Sequence, residues 1–225
     1  MEIELIIFDF DGVLVDSEYI AAQILAQQFT KYGVDISLPT TLNRYVGISY
    51  SRLHQWVSDE IGSHSATDFL KETENLTIDA HQQKLRATDH IKPTLKKIQQ
   101  QTCIATNSPA EILQHKINIT KMDDFFSQEK IFHGSMVKNP KPAPDLFLHA
   151  ASAHKIQANK CLVIEDSVIG VHAAKSANMT VLGYTGASHC LNNQVHEADL
   201  QKAGAHHIFN DMRELQSIIE KLENE

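Results

Sequence analysis

From Ile91 onward the chain alternates short apolar runs with helical patterns, and this alternation restricts the available folds more than any other feature of the sequence. Strand-like runs fall at 102–106, 130–133, 161–164, 180–184 and 207–209; the spacing predicts helices over 95–100, 109–117, 145–154, 168–177 and from Met212 onward. Strands separated by helices are parallel strands joined by crossovers, and parallel sheets carry helices on both faces. One more run, Leu5-Ile6-Ile7-Phe8, lies far upstream and reads as a strand buried on both faces. The intervening segment shows no strand pattern. A helix is predicted from Ser17 to near Gly33, with Ile20, Ile24, Leu25 and Phe29 at helical spacing, followed by helical patterns at 41–46, 50–61 and 66–85. The expected architecture is therefore α/β: a Rossmann-like parallel core from 1–14 and 88–225, with an inserted α-helical domain at 15–87.

The upstream run ends in charge, as Asp9-Phe10-Asp11-Gly12. Residues i and i+2 of a strand face the same side, so Asp9 and Asp11 are expected to look into one site at the strand's carboxyl end, where open α/β sheets bind ligands. Buried carboxylates require a partner or a metal, and a pair of oxygen donors suits a hard cation such as Mg2+. The simpler alternative is that both aspartates cap a turn.

Three further features sit at strand ends or in turns. Thr106-Asn107-Ser108 closes an apolar run just before Pro109 opens a helix, offering a hydroxyl and free N–H groups to an anion. Lys141 is mounted between Pro140 and Pro142. Glu165-Asp166 follows Leu162-Val163-Ile164 as Asp9 follows its own strand. Carboxylates converging from two adjacent strands repel unless a cation lies between them. A cation site, a nucleophile, a hydroxyl donor and a fixed ammonium together supply what phosphoryl transfer needs.

In these four motifs, taken in order (Asp9-Phe10-Asp11-Gly12-Val13, Thr106-Asn107-Ser108, Lys141-Pro142-Ala143-Pro144-Asp145 and Glu165-Asp166-Ser167), the chain resembles the haloacid dehalogenase-like hydrolase superfamily, in its β-phosphoglucomutase-like branch with a helical cap. The resemblance spans essentially the whole sequence. It implies that Asp9 attacks phosphorus to form an aspartyl-phosphate, and that Asp11 protonates the leaving alcohol and then activates water. It implies Mg2+ held by an Asp9 carboxylate oxygen, the backbone carbonyl of Asp11 in preference to that of Phe10, and Asp166, with Glu165 as ligand or as partner of the ligands. Thr106 and Lys141 would bind the phosphoryl group, helped by the Phe10 and Asn107 amides, and residues 15–87 would form the cap that selects substrate.

Departures from the pattern bear on the reaction. Mutases of the branch carry a histidine where this chain has Ala21, and a lysine where Val46 precedes Gly47; both absences favour hydrolysis over mutase activity. Pro140 stands where glycine is usual. Asp11 and Asp166 argue against a halide-releasing enzyme. The expected activity is hydrolysis of small phosphomonoesters, sugar or sugar-acid phosphates, with a phosphosugar mutase and a non-catalytic phosphometabolite-binding protein as alternatives.

A formal net charge of −8 gives no basis for binding nucleic acid or an anionic membrane, and no apolar stretch is long enough for a signal peptide or a membrane span. The expectation is a cytoplasmic monomer whose partner is a small phosphorylated metabolite. Cys103, Cys161 and Cys190 are too few and too scattered for a disulfide framework or a zinc site, and none of the thirteen histidines is assigned a role. Arg44, Arg52 and His54 lie near Gly47, where they could contact substrate, although each reads more readily as a solvated helix-face residue.

Overall fold

The computed structural model describes residues 2–191 and 194–224. The described chain divides into two compact units, Ser17–Arg86 and the remainder. In the larger unit β1 (Leu5–Phe8) is wholly buried, as its uninterrupted apolar sequence requires.

The smaller unit contains α1 (Glu18–Lys31), α2 (Leu38–Tyr45), α3 (Tyr50–Ile61) and α4 (Ser63–Lys84). Serine hydroxyls start two of these helices: Ser37 accepts from Thr40 N, and Ser49 from Arg52 N. Gly62, at φ 85°, turns α3 into α4 in a conformation a side chain disfavours. Its core is Leu25, Phe29, Trp56, Val57, Ala66, Phe69 and Leu70, with the Phe29 ring 5.1 Å from Trp56 and 5.0 Å from Phe69.

The larger unit resumes with α5 (Ile91–Leu95), β2 (Gln101–Thr106), α6 (Ala110–Thr120), β3 (Ile131–His133) and α7 (Asp145–His154). It continues through β4 (Cys161–Glu165), α8 (Val168–Ser176), β5 (Thr180–Tyr184), α9 (Gln194–Ala203), β6 (His207–Phe209) and α10 (Leu215–Asn224). The six strands form one parallel sheet in the order β3-β2-β1-β4-β5-β6. In register, Ile7 lies between Cys103 and Val163. One face buries Leu5, Ile7, Cys103, Val163 and Val181 against Phe147 and Ala150 of α7 and Val171 and Ala174 of α8. Ile6, Phe8, Ile104, Leu162 and Leu182, the alternate residues of the same strands, are buried too, so both faces are covered. This is the expected Rossmann-like architecture.

Two elements differ from expectation. The helix placed at 95–100 lies earlier, at 91–95: Pro93 is its third residue, where the missing N–H has no intrahelical acceptor in any case, so proline opens this helix instead of excluding it. The helix α9 was not expected. Its sequence, QVHEADLQKA, is largely polar, and Leu200 is its one fully buried apolar side chain among those described.

Candidate active site

The order of the strands makes β1 central, with β2 and β4 on its two sides, so the polar residues ending these three strands converge. The ladder continues one residue past β1, because Asp9 N donates to Ile164 O at 2.9 Å. The chain then turns sharply. Leu14 N and Val15 N both donate to Phe10 O, and Gly12 takes φ 73°. A Cβ on Gly12 would lie 1.9 Å from Asp166 Oδ2 and 2.8 Å from His189 Cε1, so glycine lets the turn pass against the end of β4.

Lys141 reaches the same point from the loop before α7. Its Nζ donates to Asp9 Oδ1 at 2.7 Å and to Glu165 Oε1 at 2.6 Å, and all three side chains are buried. Asn107 fixes the loop that carries it: Lys141 N donates to Asn107 Oδ1 at 3.1 Å, and Asn107 Nδ2 donates to Lys141 O at 3.0 Å. The Lys141–Pro142 peptide is cis. Glu165 spends its second oxygen on the start of α8, where Oε2 accepts from both N and Oγ of Ser167 at 2.9 Å. Ser167 in turn caps the helix by accepting from Gly170 N at 3.1 Å.

One oxygen from each of Asp9, Glu165 and Asp166 lies within 4.8 Å of the others. Burial, reinforced by the neighbouring carboxylates and opposed by Lys141, raises Asp9 well above the ordinary aspartate range; burial and then Glu165 do the same to Asp166. Burial pulls Lys141 down, but Asp9 and Glu165 together hold its ammonium above its ordinary value. Were all three carboxylates ionised, the single ammonium would leave excess negative charge among them. Asp166 Oδ2, though 3.0 Å from His189 Nε2, makes no hydrogen bond to it or to any other described group. A buried acceptor without a donor, in an all-oxygen set with surplus negative charge, fits a hard divalent cation.

Asp11 stands apart from this cluster. Ser108 Oγ donates to its Oδ2 at 2.5 Å, and the buried Lys116 Nζ on α6 donates to its Oδ1. Lys116 Nζ also lies 3.2 Å from Ser108 Oγ. The buried Thr106 hydroxyl accepts from Ser108 N at 3.1 Å, which leaves its own proton for a ligand.

All the residues expected at the site, Asp9, Phe10, Asp11, Thr106, Asn107, Lys141, Glu165 and Asp166, lie at these strand ends or in the loop bearing Lys141. Sequence reasoning missed Lys116, His189 and His196, and gave Ser108 no role. Lys116 is one lysine among many until the fold brings it across 105 positions to Asp11. His196 Nε2 donates to the Asp166 carbonyl at 2.7 Å. Arg44 lies in the smaller unit, over the Trp56 ring and bonded to Glu60, and with Arg52 it lines a cavity of about 350 Å³.

With this geometry, comparison with known proteins is decisive. The model of the haloacid dehalogenase-like hydrolases matches residues 6–184, and the chain belongs to that family. It is 28% identical over 191 residues to the 6-phosphogluconate phosphatase of Escherichia coli K12, covering 83% of this chain and 85% of that one. It is 33% identical over 193 residues to (DL)-glycerol-3-phosphatase 2 of Arabidopsis thaliana, covering 79% and 77%. Among solved structures, a conserved haloacid dehalogenase-like protein of Agrobacterium tumefaciens superposes with a TM-score of 0.88 at 32% identity, covering 98% of this chain and 99% of that one. Family and relatives together make the protein an enzyme of the phosphoric monoester hydrolase class. No helix among the described residues is long and apolar enough to cross a membrane.

Proposed function

We propose that the protein is a Mg2+-dependent phosphatase of small phosphomonoesters, sugar or sugar-acid phosphates, that works through a phosphorylated Asp9. The carrying observation is the division of labour between the two aspartates: Lys141 fixes Asp9 inside the acidic cluster, while Ser108 and Lys116 hold Asp11 on separate partners.

Asp9 attacks phosphorus, so that a carboxylate–phosphorus bond forms as the bond to the leaving alkoxide breaks. Asp11 gives that alkoxide a proton. It then takes one from the water that attacks the aspartyl-phosphate, which frees phosphate and restores Asp9. Thr106 Oγ1, Lys141 Nζ and the amides of Phe10 and Asn107 carry the charge on the transferring group. Asp9, Asp166 and the Asp11 carbonyl would hold the Mg2+, which when bound offsets repulsion between the Asp9 carboxylate and the phosphoryl oxygens. With both oxygens engaged, Glu165 serves mainly to orient Lys141.

The helical segment 15–87 is read as the cap domain in which substrate choice resides. The relatives named for 6-phosphogluconate, glycerol 3-phosphate and phosphoglycolate point to short polar phosphate esters. We place the enzyme in the cytoplasm as a monomer.

The test is phosphate release from 6-phosphogluconate, glycerol 3-phosphate and phosphoglycolate, with Mg2+ and with chelator, for the native protein and for Asp9→Asn. Release that requires Mg2+ and disappears in Asp9→Asn is expected. Release that persists in Asp9→Asn refutes the nucleophile, and conversion of a phosphosugar to its isomer without free phosphate would replace hydrolysis with mutase chemistry.

A further inference from the structure

The turn after β5 and the first turn of α9 hold donors of a different kind. Residues 188–190 form one turn of 3-10 helix, fastened because Ser188 N donates to Asp16 Oδ1 at 3.0 Å and Ser188 Oγ donates to Asp16 Oδ2. This places His189 and Cys190, both buried, beside Asp166, and α9 brings His196 to the same place. A ring nitrogen of each histidine and Cys190 Sγ lie within 4.8 Å of one another. His189 Nε2 is 3.0 Å from Cys190 Sγ and 3.0 Å from Asp166 Oδ2.

We propose that His189, Cys190 and His196, with the Asp166 carboxylate beside them, form a binding site for a thiophilic divalent cation of the Zn2+ class. The donor set is imidazole, thiolate and carboxylate, which suits zinc and which a hard magnesium ion does not seek. Tetrahedral bonds of 2.0–2.3 Å separate ligand atoms by about 3.5 Å; here His189 Nε2 and Cys190 Sγ are 3.0 Å apart and no pair of the three donors exceeds 4.8 Å, which accommodates that spacing. His196 donates Nε2–H to the Asp166 carbonyl, the kind of bond that orients a metal-binding ring and leaves Nδ1 as its basic nitrogen. The buried Asp166 Oδ2, which no described donor satisfies, faces this group. Cation binding displaces the Cys190 thiol proton to solvent.

Asp166 adjoins both this group and the acidic cluster, so a cation held here draws on a carboxylate that the cluster shares. Resting on the phosphatase reading above, occupancy is therefore inhibitory.

Cobalt(II) is the probe, because its thiolate complexes show a near-ultraviolet charge-transfer absorption that oxygen-only sites lack. The full-length protein is stripped with chelator, supplied with excess Mg2+ and titrated with Co2+. The expected result is a charge-transfer band that saturates at one cobalt per chain, is unchanged in Asp9→Asn and is lost in Cys190→Ser. Cys103 and Cys161 are strand residues whose thiols burial pushes up, Cys161 to about 11, and they do not contribute. His196→Gln keeps the thiol and is expected to weaken cobalt binding by roughly tenfold or more, which provides a second test should Cys190→Ser fold poorly. The proposal is overturned if the native protein shows no band near stoichiometric cobalt, or if the band survives in Cys190→Ser. In an activity assay with Mg2+, Zn2+ should inhibit the native enzyme at concentrations that Cys190→Ser withstands, and equal inhibition of the two would refute the shared use of Asp166. If no phosphomonoester is hydrolysed at all, the phosphatase reading falls, while the cobalt spectrum still decides the site.

Discussion

A single methyl group at Gly170 tests how the site is held together. Gly170 is the third residue of α8, and a Cβ there would lie 1.8 Å from Glu165 Oε1 and 1.9 Å from Glu165 Cδ. Glu165 has no free space to move into, because it is 1% exposed and tied to Lys141 and twice to Ser167. Gly170→Ala therefore forces the carboxylate out of place. The lost bond from Lys141 contributes about 1.5–3 kcal/mol and the two from Ser167 about 0.5–1.5 kcal/mol each. Alanine offsets this by about 0.5–1 kcal/mol through its helix preference, so the net destabilisation is about 2–5 kcal/mol, a large part of a typical domain's stability. The assay is urea denaturation of four proteins: native, Gly170→Ala, Glu165→Ala and the double variant. With Glu165 already shortened, the three atoms nearest the methyl group are gone, so the helix preference should dominate and Gly170→Ala should become stabilising by about 0.5–1 kcal/mol. If it destabilises equally in both backgrounds, the collision with Glu165 is not what makes glycine necessary.

Other expectations follow from the same geometry. Lys116→Met releases one oxygen of Asp11, so kcat/KM for an alkyl ester such as glycerol 3-phosphate should fall roughly tenfold or more, while that for p-nitrophenyl phosphate, whose phenolate leaves without a proton, falls far less; equal losses would deny Lys116 a part in placing Asp11. Burial raises Asp9 and Asp166 above their ordinary value of 3.8, so the metal-free native state binds more protons than the unfolded chain from about pH 4 upward and loses stability as the pH rises. Mg2+ should remove that slope, and thermal scans with chelator and with Mg2+ should diverge as the pH rises from about 5 to about 8; a constant gap would contradict the assignment of the acidic cluster. Phe69→Ala empties the centre of the smaller unit at a cost of about 3–5 kcal/mol. The single tryptophan, Trp56, lies in that core, so its fluorescence should report a clearly lower urea midpoint, and an unmoved transition would show that Phe69 is not structural.

What could be read from the sequence was whatever acts over short distances. Asp9 and Asp166 drew notice because each ends an apolar run, and Lys141 because prolines flank it; a strand end or a rigid loop is visible within a few residues. Lys116 sits in an ordinary amphipathic helix, and only the pairing of β1 with β2 brings it to Asp11. His189 lies 23 positions beyond Asp166, with α8 and β5 between, and no local pattern announces their meeting. α9 escaped for the opposite reason. A helix on the sheet's flank that buries little needs no apolar stripe, so its largely polar ten-residue sequence carried no period to find.

The central place of β1 also has a consequence for synthesis of the chain. Its four apolar residues leave the ribosome ahead of both partners: β2, on one side, begins about a hundred residues later and β4, on the other, some sixty later still. At about 5–20 residues per second, β1 waits roughly 5–20 s for its first neighbour and longer for its second. Throughout that interval both of its edges are open and its side chains are sticky, the condition that invites association between nascent chains. The helices of Ser17–Arg86, whose hydrophobic cluster of Leu25, Phe29, Trp56, Val57, Ala66, Phe69 and Leu70 is drawn from their own span, emerge complete during the wait. The strand that leads into Asp9 thus waits longest for its neighbours, and reduced chaperone supply should lower the yield of active enzyme before it affects the helical unit.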